Sequence, residues 1–264
     1  MIRLFILVII TFELSAQEYV PAKYASSGSQ GIADSGIYTL AGNPAGVSRI
    51  NRPQLALGYQ QHFLGTDIQS QALFFAMPIK AQGGLGLLIE NYGIPEVTSL
   101  IKSGFTFSKY FGKQINASLS INYHQYHVES YTTSKSWSAD LGFQYLFEKV
   151  QLGAVFKNIS GSTFSNEIPE AIDQEIAFGA LYYLSDEIQV LAELSNDFDS
   201  SIKYSAGLAY KIHKQIILRG GASSLPVEFH AGAGILVKKF IVDVASSFHT
   251  QLGSSPQLAI AYEF

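Results

Sequence analysis

The chain has 264 residues, of which 47% are hydrophobic and 14% charged, with 23 Gly and no Cys. Soluble domains are usually about a quarter charged, and the absence of Cys excludes a disulfide scaffold or any thiolate metal site. A formal net charge of -4 excludes the basic footprint of a nucleic-acid-binding protein.

At the N-terminus, Arg3 follows Met1 and Ile2 as a short positive region, and residues 4–12 form a compact apolar run. Ser15, Ala16 and Gln17 offer a small-residue cleavage site, placing the cut after Ala16. A run this short fits a signal peptide and not a membrane span. The expected organisation is therefore a signal peptide over 1–16, a non-alternating segment over 17–52 and a β domain over 53–264. No later stretch holds ~18 uncharged apolar residues, so a transmembrane helix is excluded. For an exported, apolar chain, the remaining way to satisfy every backbone group in hydrocarbon is a closed barrel.

From Gln54 onward the dominant period is two. Ile115, Ala117, Leu119, Ile121 and Tyr123 alternate with Asn116, Ser118, Ser120 and Asn122. Trp137, Ala139, Leu141, Phe143, Tyr145 and Phe147 alternate with Ser138, Asp140, Gly142 and Gln144. The same holds for Ile202 to Tyr210 and for Leu258, Ile260, Tyr262 and Phe264. One face is apolar and aromatic, the other small or polar, as in a membrane barrel. Turn signals predict about fourteen antiparallel strands: 54–63, 69–78, 82–91, 102–111, 115–127, 136–147, 150–158, 175–184, 188–195, 202–212, 216–223, 229–237, 240–248 and 257–264. The face of the second is ambiguous. Even-to-odd connections are short and often charged (Lys80, Glu148 with Lys149, Lys238 with Lys239), whereas the others are mostly longer. Short periplasmic turns and longer outer loops produce this asymmetry.

Residues 17–52 lack alternation and carry Gly28, Gly31, Gly36, Gly42 and Gly46. Gly31-Ile32-Ala33-Asp34-Ser35-Gly36, followed by Gly42-Asn43-Pro44-Ala45-Gly46-Val47, resembles the N-terminal region of the FadL-type outer-membrane barrel superfamily. That superfamily includes fatty-acid transporters and PorV/PorQ-type proteins of Bacteroidota. The resemblance implies a fourteen-strand barrel whose N-terminal segment, with Asn43, Pro44, Ala45 and Gly46 as its motif, folds into the lumen as a plug. It also implies a location in the cell outer membrane. Physically, Pro44 fixes φ, Asn43 accepts local hydrogen bonds, and Gly46 permits close backbone approach. A weaker similarity to PorP/SprF-type barrels covers Gly84 to Leu88.

Two functions are implied: passage of a small hydrophobic ligand through the barrel, or docking to a protein of the type IX secretion machinery. A general diffusion pore is a third, opposed by the apolar residues of the plug. Outer-membrane lipid is an expected partner and nucleic acid is not. No cofactor, metal or catalytic residue is expected: no His has Ser two positions on, and His124 and His127 fall on opposite strand faces. Gly83, Gly84 and Gly86 mark a strand kink or room for the plug. Register arithmetic yields a polar inward ladder, with His124 opposite Asp140, Asp140 opposite Lys157, and Glu193 opposite Lys203.

Overall fold

The computed structural model describes residues 19–79, 83–165, 172–198 and 201–264. The signal-peptide assignment, residues 1–16, lies outside the described residues. Among those described, fourteen strands form one closed barrel. They are β1 (Gln54–Gln61), β2 (Gln69–Ile79), β3 (Gly83–Ile94), β4 (Thr98–Phe111), β5 (Ile115–Val128), β6 (Thr132–Leu146) and β7 (Val150–Lys157), then β8 (Glu175–Tyr183), β9 (Ile188–Asn196), β10 (Lys203–His213), β11 (Ile216–Ser224), β12 (Val227–Val237), β13 (Phe240–His249) and β14 (Gly253–Glu263). Each pairs antiparallel with its chain neighbours, and β1 closes on β14 with Leu57 opposite Ile260. Closure of β1 on β14 removes the two edges an open sheet would have.

The period-two pattern becomes two surfaces. Leu119 and Leu208 point outward at 48% and 45% exposure, while Ser120 and Asn116 point inward and are buried. Aromatic pairs flank the outward apolar band. Tyr123 packs on Trp137 near the loop end (5.2 Å between rings), and Tyr145 on Phe147 and Phe240 on Tyr262 near the turn end (4.5 and 4.8 Å). Trp137 and Tyr145 are both on β6; with ~3.4 Å per residue and a tilt of ~40°, the girdles stand ~21 Å apart. That is the surface of a barrel solvated by hydrocarbon, apolar across the band and amphipathic at its edges.

Strand limits agree closely with the alternation except at some loop ends. There β4, β6 and β14 begin at Thr98, Thr132 and Gly253, four residues earlier than the alternation predicts. The added residues are mostly Ser, Thr and Gly, which carry no hydrophobic signal although their backbones pair. As a result several loop-end connections are tight tips, 95–97, 129–131 and 250–252, and not the longer loops expected. The long one is 158–174. The wall is also uneven. β6 has 15 residues and β7 has 8, and their pairing stops at Leu141 opposite Phe156. The loop end of β6 stands above β7, and the 158–174 connection leans on it through Ile159 N–H to Ala139 O and Ser136 Oγ to Thr163 O.

The ambiguous β2 resolves plainly. Leu73 and Phe75 pair with outward residues of β1 and β3, and Phe74 is the fully buried inward residue. Phe74 lies between the rings of Tyr19 and Tyr38 at 6.1 and 5.7 Å, so an inward aromatic exists because an apolar partner waits inside. β3 pairs without a register shift, from Gly83 to Gly93 with β2 and from Gly84 to Ile94 with β4. A Cβ on Gly84 would meet Val47 O at 2.7 Å, and one on Gly86 would meet Leu40 Cδ2 at 2.2 Å. These two glycines thus make room for the N-terminal segment.

Candidate functional site

The segment from Tyr19 to Ile50 is irregular. It has one helical turn, α1 (Ala22–Ala25), and two 3-10 turns at Ile37–Leu40 and Pro44–Arg49. Most of it is buried, and it lies against the inward faces of strands around the barrel. Small inward residues form its bed: a Cβ on Gly153 would meet Ile32 O at 1.9 Å, and one on Gly207 would meet Ser27 O at 2.2 Å.

Polar side chains fix it in place. Asn43 precedes Pro44, whose ring presets φ for the turn, and its Oδ1 accepts from Ala45 N–H at 3.2 Å. Its Nδ2 donates to Ile32 O (2.8 Å) within the segment and to Phe143 O and Ala154 O (3.0 and 3.3 Å) on the wall. Phe143 and Ala154 face each other across the β6–β7 seam, so Asn43 bridges both strands. Gly46 is required locally, because a Cβ there would meet Asp34 O at 2.5 Å.

A chain of amides continues from the motif. Gln144 Nε2 donates to Asp34 O and Ile32 O, Asn116 Nδ2 donates to Gln144 Oε1, and Arg49 Nε donates to Asn116 Oδ1 at 2.8 Å. Two strands along from β7, on β9, the Glu193 carboxylate accepts four hydrogen bonds. Ser29 Oγ (2.8 Å), Gly31 N–H (3.1 Å) and Ile32 N–H (2.9 Å) reach Oε1, and Gln30 N–H (2.6 Å) reaches Oε2. Within the segment, Lys23 pairs with Asp34 at 2.5 Å. Burial alone would raise the Asp34 carboxyl, but the Lys23 ammonium and the Ser35 N–H hold it below its ordinary value. Burial pushes the phenols of Tyr19 and Tyr38 up, so both are neutral.

The five ladder residues all lie on inward-facing positions, but two of their three pairings differ from the register arithmetic. His124 is opposite Ser136, and Asp140 is opposite Ser120. The β5–β6 tip turns tightly at 129–131 with Ser130 in the left-handed region, earlier than the expected centre at 132. Glu193 is opposite Ser205, while Lys203 is opposite Ser195, a two-residue offset. The β6–β7 register, extended by one pair, does set Asp140 level with Lys157.

His124, Asp140 and Lys157 nevertheless share a cavity, with Glu90, Lys102 and Phe164, of about 60 Å³ on the loop side. There Asp140 holds the 158–174 connection: Oδ1 accepts from Asn158 N–H at 2.8 Å and Oδ2 from Asn122 Nδ2 at 2.7 Å. Asn158 in turn gathers Ser160, Ser162 and Ile172 around its side chain, and Phe164 packs on the His124 and Tyr126 rings. On the turn side of the segment lies a larger cavity of about 450 Å³, whose lining includes Ile37, Tyr38, Ile217, Leu236 and Ile241. Arg219 and Asp243 form a buried ion pair beside it at 2.7 Å.

Sequence reasoning missed Arg49, Asn116, Gln144 and Asn158 as site residues. Amides on an inward face look like ordinary wet-lumen polarity, and only the contact with Ile32 and Asp34 separates them.

A closed fourteen-strand barrel with an irregular N-terminal segment against its inner face has the FadL-type fold implied by the sequence resemblance. The toluene transporter TodX of Pseudomonas putida superposes with a TM-score of 0.72 at 13% identity, over 95% of this chain and 99% of that one. The CymD monoaromatic hydrocarbon channel gives 0.69 at 13%, over 93% and 97%, and a Pseudomonas aeruginosa FadL homologue gives 0.65 at 11%, over 93% and 98%. At such identities the likeness is one of fold. No protein-family model and no curated protein matches the sequence.

Proposed function

We propose that the protein is a non-enzymatic outer-membrane barrel that passes small hydrophobic molecules, with its N-terminal segment acting as a plug across the lumen. The carrying observation is the clasp of Glu193, Asn43 and Gln144 on residues 29–34, which seats the segment between a small loop-side cavity and a larger turn-side one. A molecule moving through must displace or skirt that segment. The outward apolar band with its aromatic girdles supports residence in a membrane, and the N-terminal run supports export by a signal peptide over 1–16. The plug then comprises 17–52 and the barrel 53–264. The fold relatives named as a toluene transporter and as a hydrocarbon channel favour passage of a ligand over docking to a secretion partner.

His124, Asp140 and Lys157 serve the loop-side entrance, where Asp140 anchors the 158–174 connection over it. Glu193 serves the plug, and Lys203 stays an inward cation near the loop rim.

Passage is tested by expressing the chain in a Gram-negative host and following uptake of labelled toluene into intact cells. Uptake several-fold above an empty-vector strain is expected. Equal rates, with the barrel folded in the outer membrane, would sink the transport reading.

A further inference from the structure

The inner wall of a water-filled barrel should be polar. At the turn ends of β11, β12 and β13 it carries an apolar patch beside the Arg219–Asp243 pair. Ile217, Leu236 and Ile241 occupy inward positions there, by parity with Arg219, Gly234 and Asp243. Leu236 is 42% exposed and Ile241 37%, directly opposite each other, on the inside of the barrel. Their outward neighbours Ile235 and Phe240 are apolar as well, so alternation fails only because the inner face has become hydrophobic. Apolar surface left facing water is unfavourable by ~25 cal/mol per Å², and a contiguous patch of it marks a binding surface. The patch, with Ile37 and Tyr38 from the N-terminal segment, lines the 450 Å³ cavity. That size is within the roughly 300–1,000 Å³ of small-molecule sites.

Charge decides what chemistry enters. Four cations (Lys23, Lys211, Lys214, Arg219) and four carboxylates (Asp186, Glu187, Asp243, Glu263) line the cavity, so it has no net charge. Asp243 is held by Arg219, and Glu263 by Gln54 and Arg52. An anionic or a cationic head would meet as many like charges as opposite ones. We infer that this turn-side cavity is a binding site for an uncharged apolar molecule, held on the Ile217–Leu236–Ile241 patch beneath the N-terminal segment. The inference deepens the transport reading and rests on it, since the ligand must reach the lumen. The loop-side cavity, at about 60 Å³, is too small for such a molecule, so cargo rests after the plug and not before it.

The test uses the full chain in lipid discs with 13C-labelled Ile and Leu methyls, titrated with toluene, benzoate or benzylammonium. Toluene should shift the methyls of Ile217, Leu236 and Ile241 saturably, and the two ions should not. Leu236→Glu, on an exposed position, should raise the toluene midpoint at least tenfold, and Ala209→Phe, which fills the cavity, should abolish saturation. Shifts that only rise linearly, as partitioning into lipid gives, would overturn the inference. So would an unchanged midpoint in Leu236→Glu, or a tighter site for either ion. Toluene uptake by cells without saturable binding defeats this inference alone; binding without uptake defeats the transport reading.

Discussion

Glu193→Ala removes a single carboxylate and with it four hydrogen bonds to residues 29–32, three of them from backbone N–H groups. Bonds to a charged acceptor contribute ~1.5–3 kcal/mol each, so the gross loss is ~6–12 kcal/mol. Two effects offset it. The buried carboxylate no longer bears its desolvation cost, which is several kcal/mol, and water can enter the space it vacates. A net destabilisation of the seated segment by ~2–4 kcal/mol follows, or roughly 30- to 700-fold more of the unseated form. Glu193→Gln keeps one acceptor oxygen but sets an amide N–H₂ near Gln30 N–H, and should lie between the parent and Ala. The assay is amide hydrogen exchange by mass spectrometry on the peptide spanning residues 29–32, with heat-modifiable gel mobility as the check that the barrel is intact. Exchange there should accelerate by the stated factor in Ala and less in Gln. If it stayed within threefold of the parent while the barrel remained folded, the carboxylate would not be the anchor argued for.

Gly153→Val should also expel the segment, because its Cβ would collide with Ile32 O at 1.9 Å; protease cleavage near residue 32 in a folded barrel is the expected sign, and full protection would contradict the packing. Leu119→Lys and Leu208→Lys each place a charge on the outward face and should cost ~2–4 kcal/mol if they lie near mid-bilayer, read as lower midpoints in urea refolding into lipid. Asp140→Ala removes the acceptor of Asn158 N–H, so proteolysis within 158–165 should speed up while the barrel stays resistant. His62, in the β1–β2 loop, accepts from Gln60 at Nδ1 and so donates from Nε2 to Ser70 Oγ at 2.7 Å. Burial pushes this imidazole down to about 4, so the disordered loop takes up a proton first as pH falls below ~6.5. The sign is therefore loss of loop stability from about pH 6.5 toward 4; an NMR titration of the ring with a midpoint near 6.5 would refute the burial argument.

Much of the barrel was legible because lipid imposes a simple rule: outward positions must be apolar, and period two then reveals each strand. Legibility ended where that rule ends. The extensions of β4 and β6 beyond the outer girdle, through Thr98, Ser99, Thr132, Thr133 and Ser134, follow no hydrophobic pattern, so the β5–β6 tip and the His124 pairing were misplaced. Phe74 defeated a reading of β2 because its inward burial depends on Tyr19 and Tyr38, far away in sequence. Asn43 was legible as a turn former, but its bridge to Phe143 and Ala154 across one strand seam was not. Glu193 was recognised as inward, yet its partner is a run of backbone N–H groups, which no side-chain pattern records.

The seat of the N-terminal segment also constrains the order in which the chain is assembled. Residues 29–32 bind Glu193 across more than 160 residues of sequence, and Asn43 binds Phe143 across 100. Such distant partners make for slow closure, and the bed itself draws on strands from Gly58 of β1 to Gly232 of β12. Residues 19–50, synthesised before the strands they bind, therefore find their place among the last. While they wait, Tyr19, Tyr24, Ile32, Tyr38 and Val47, all buried in the finished molecule, are exposed to water. Their apolar surface needs cover until the strands close around it.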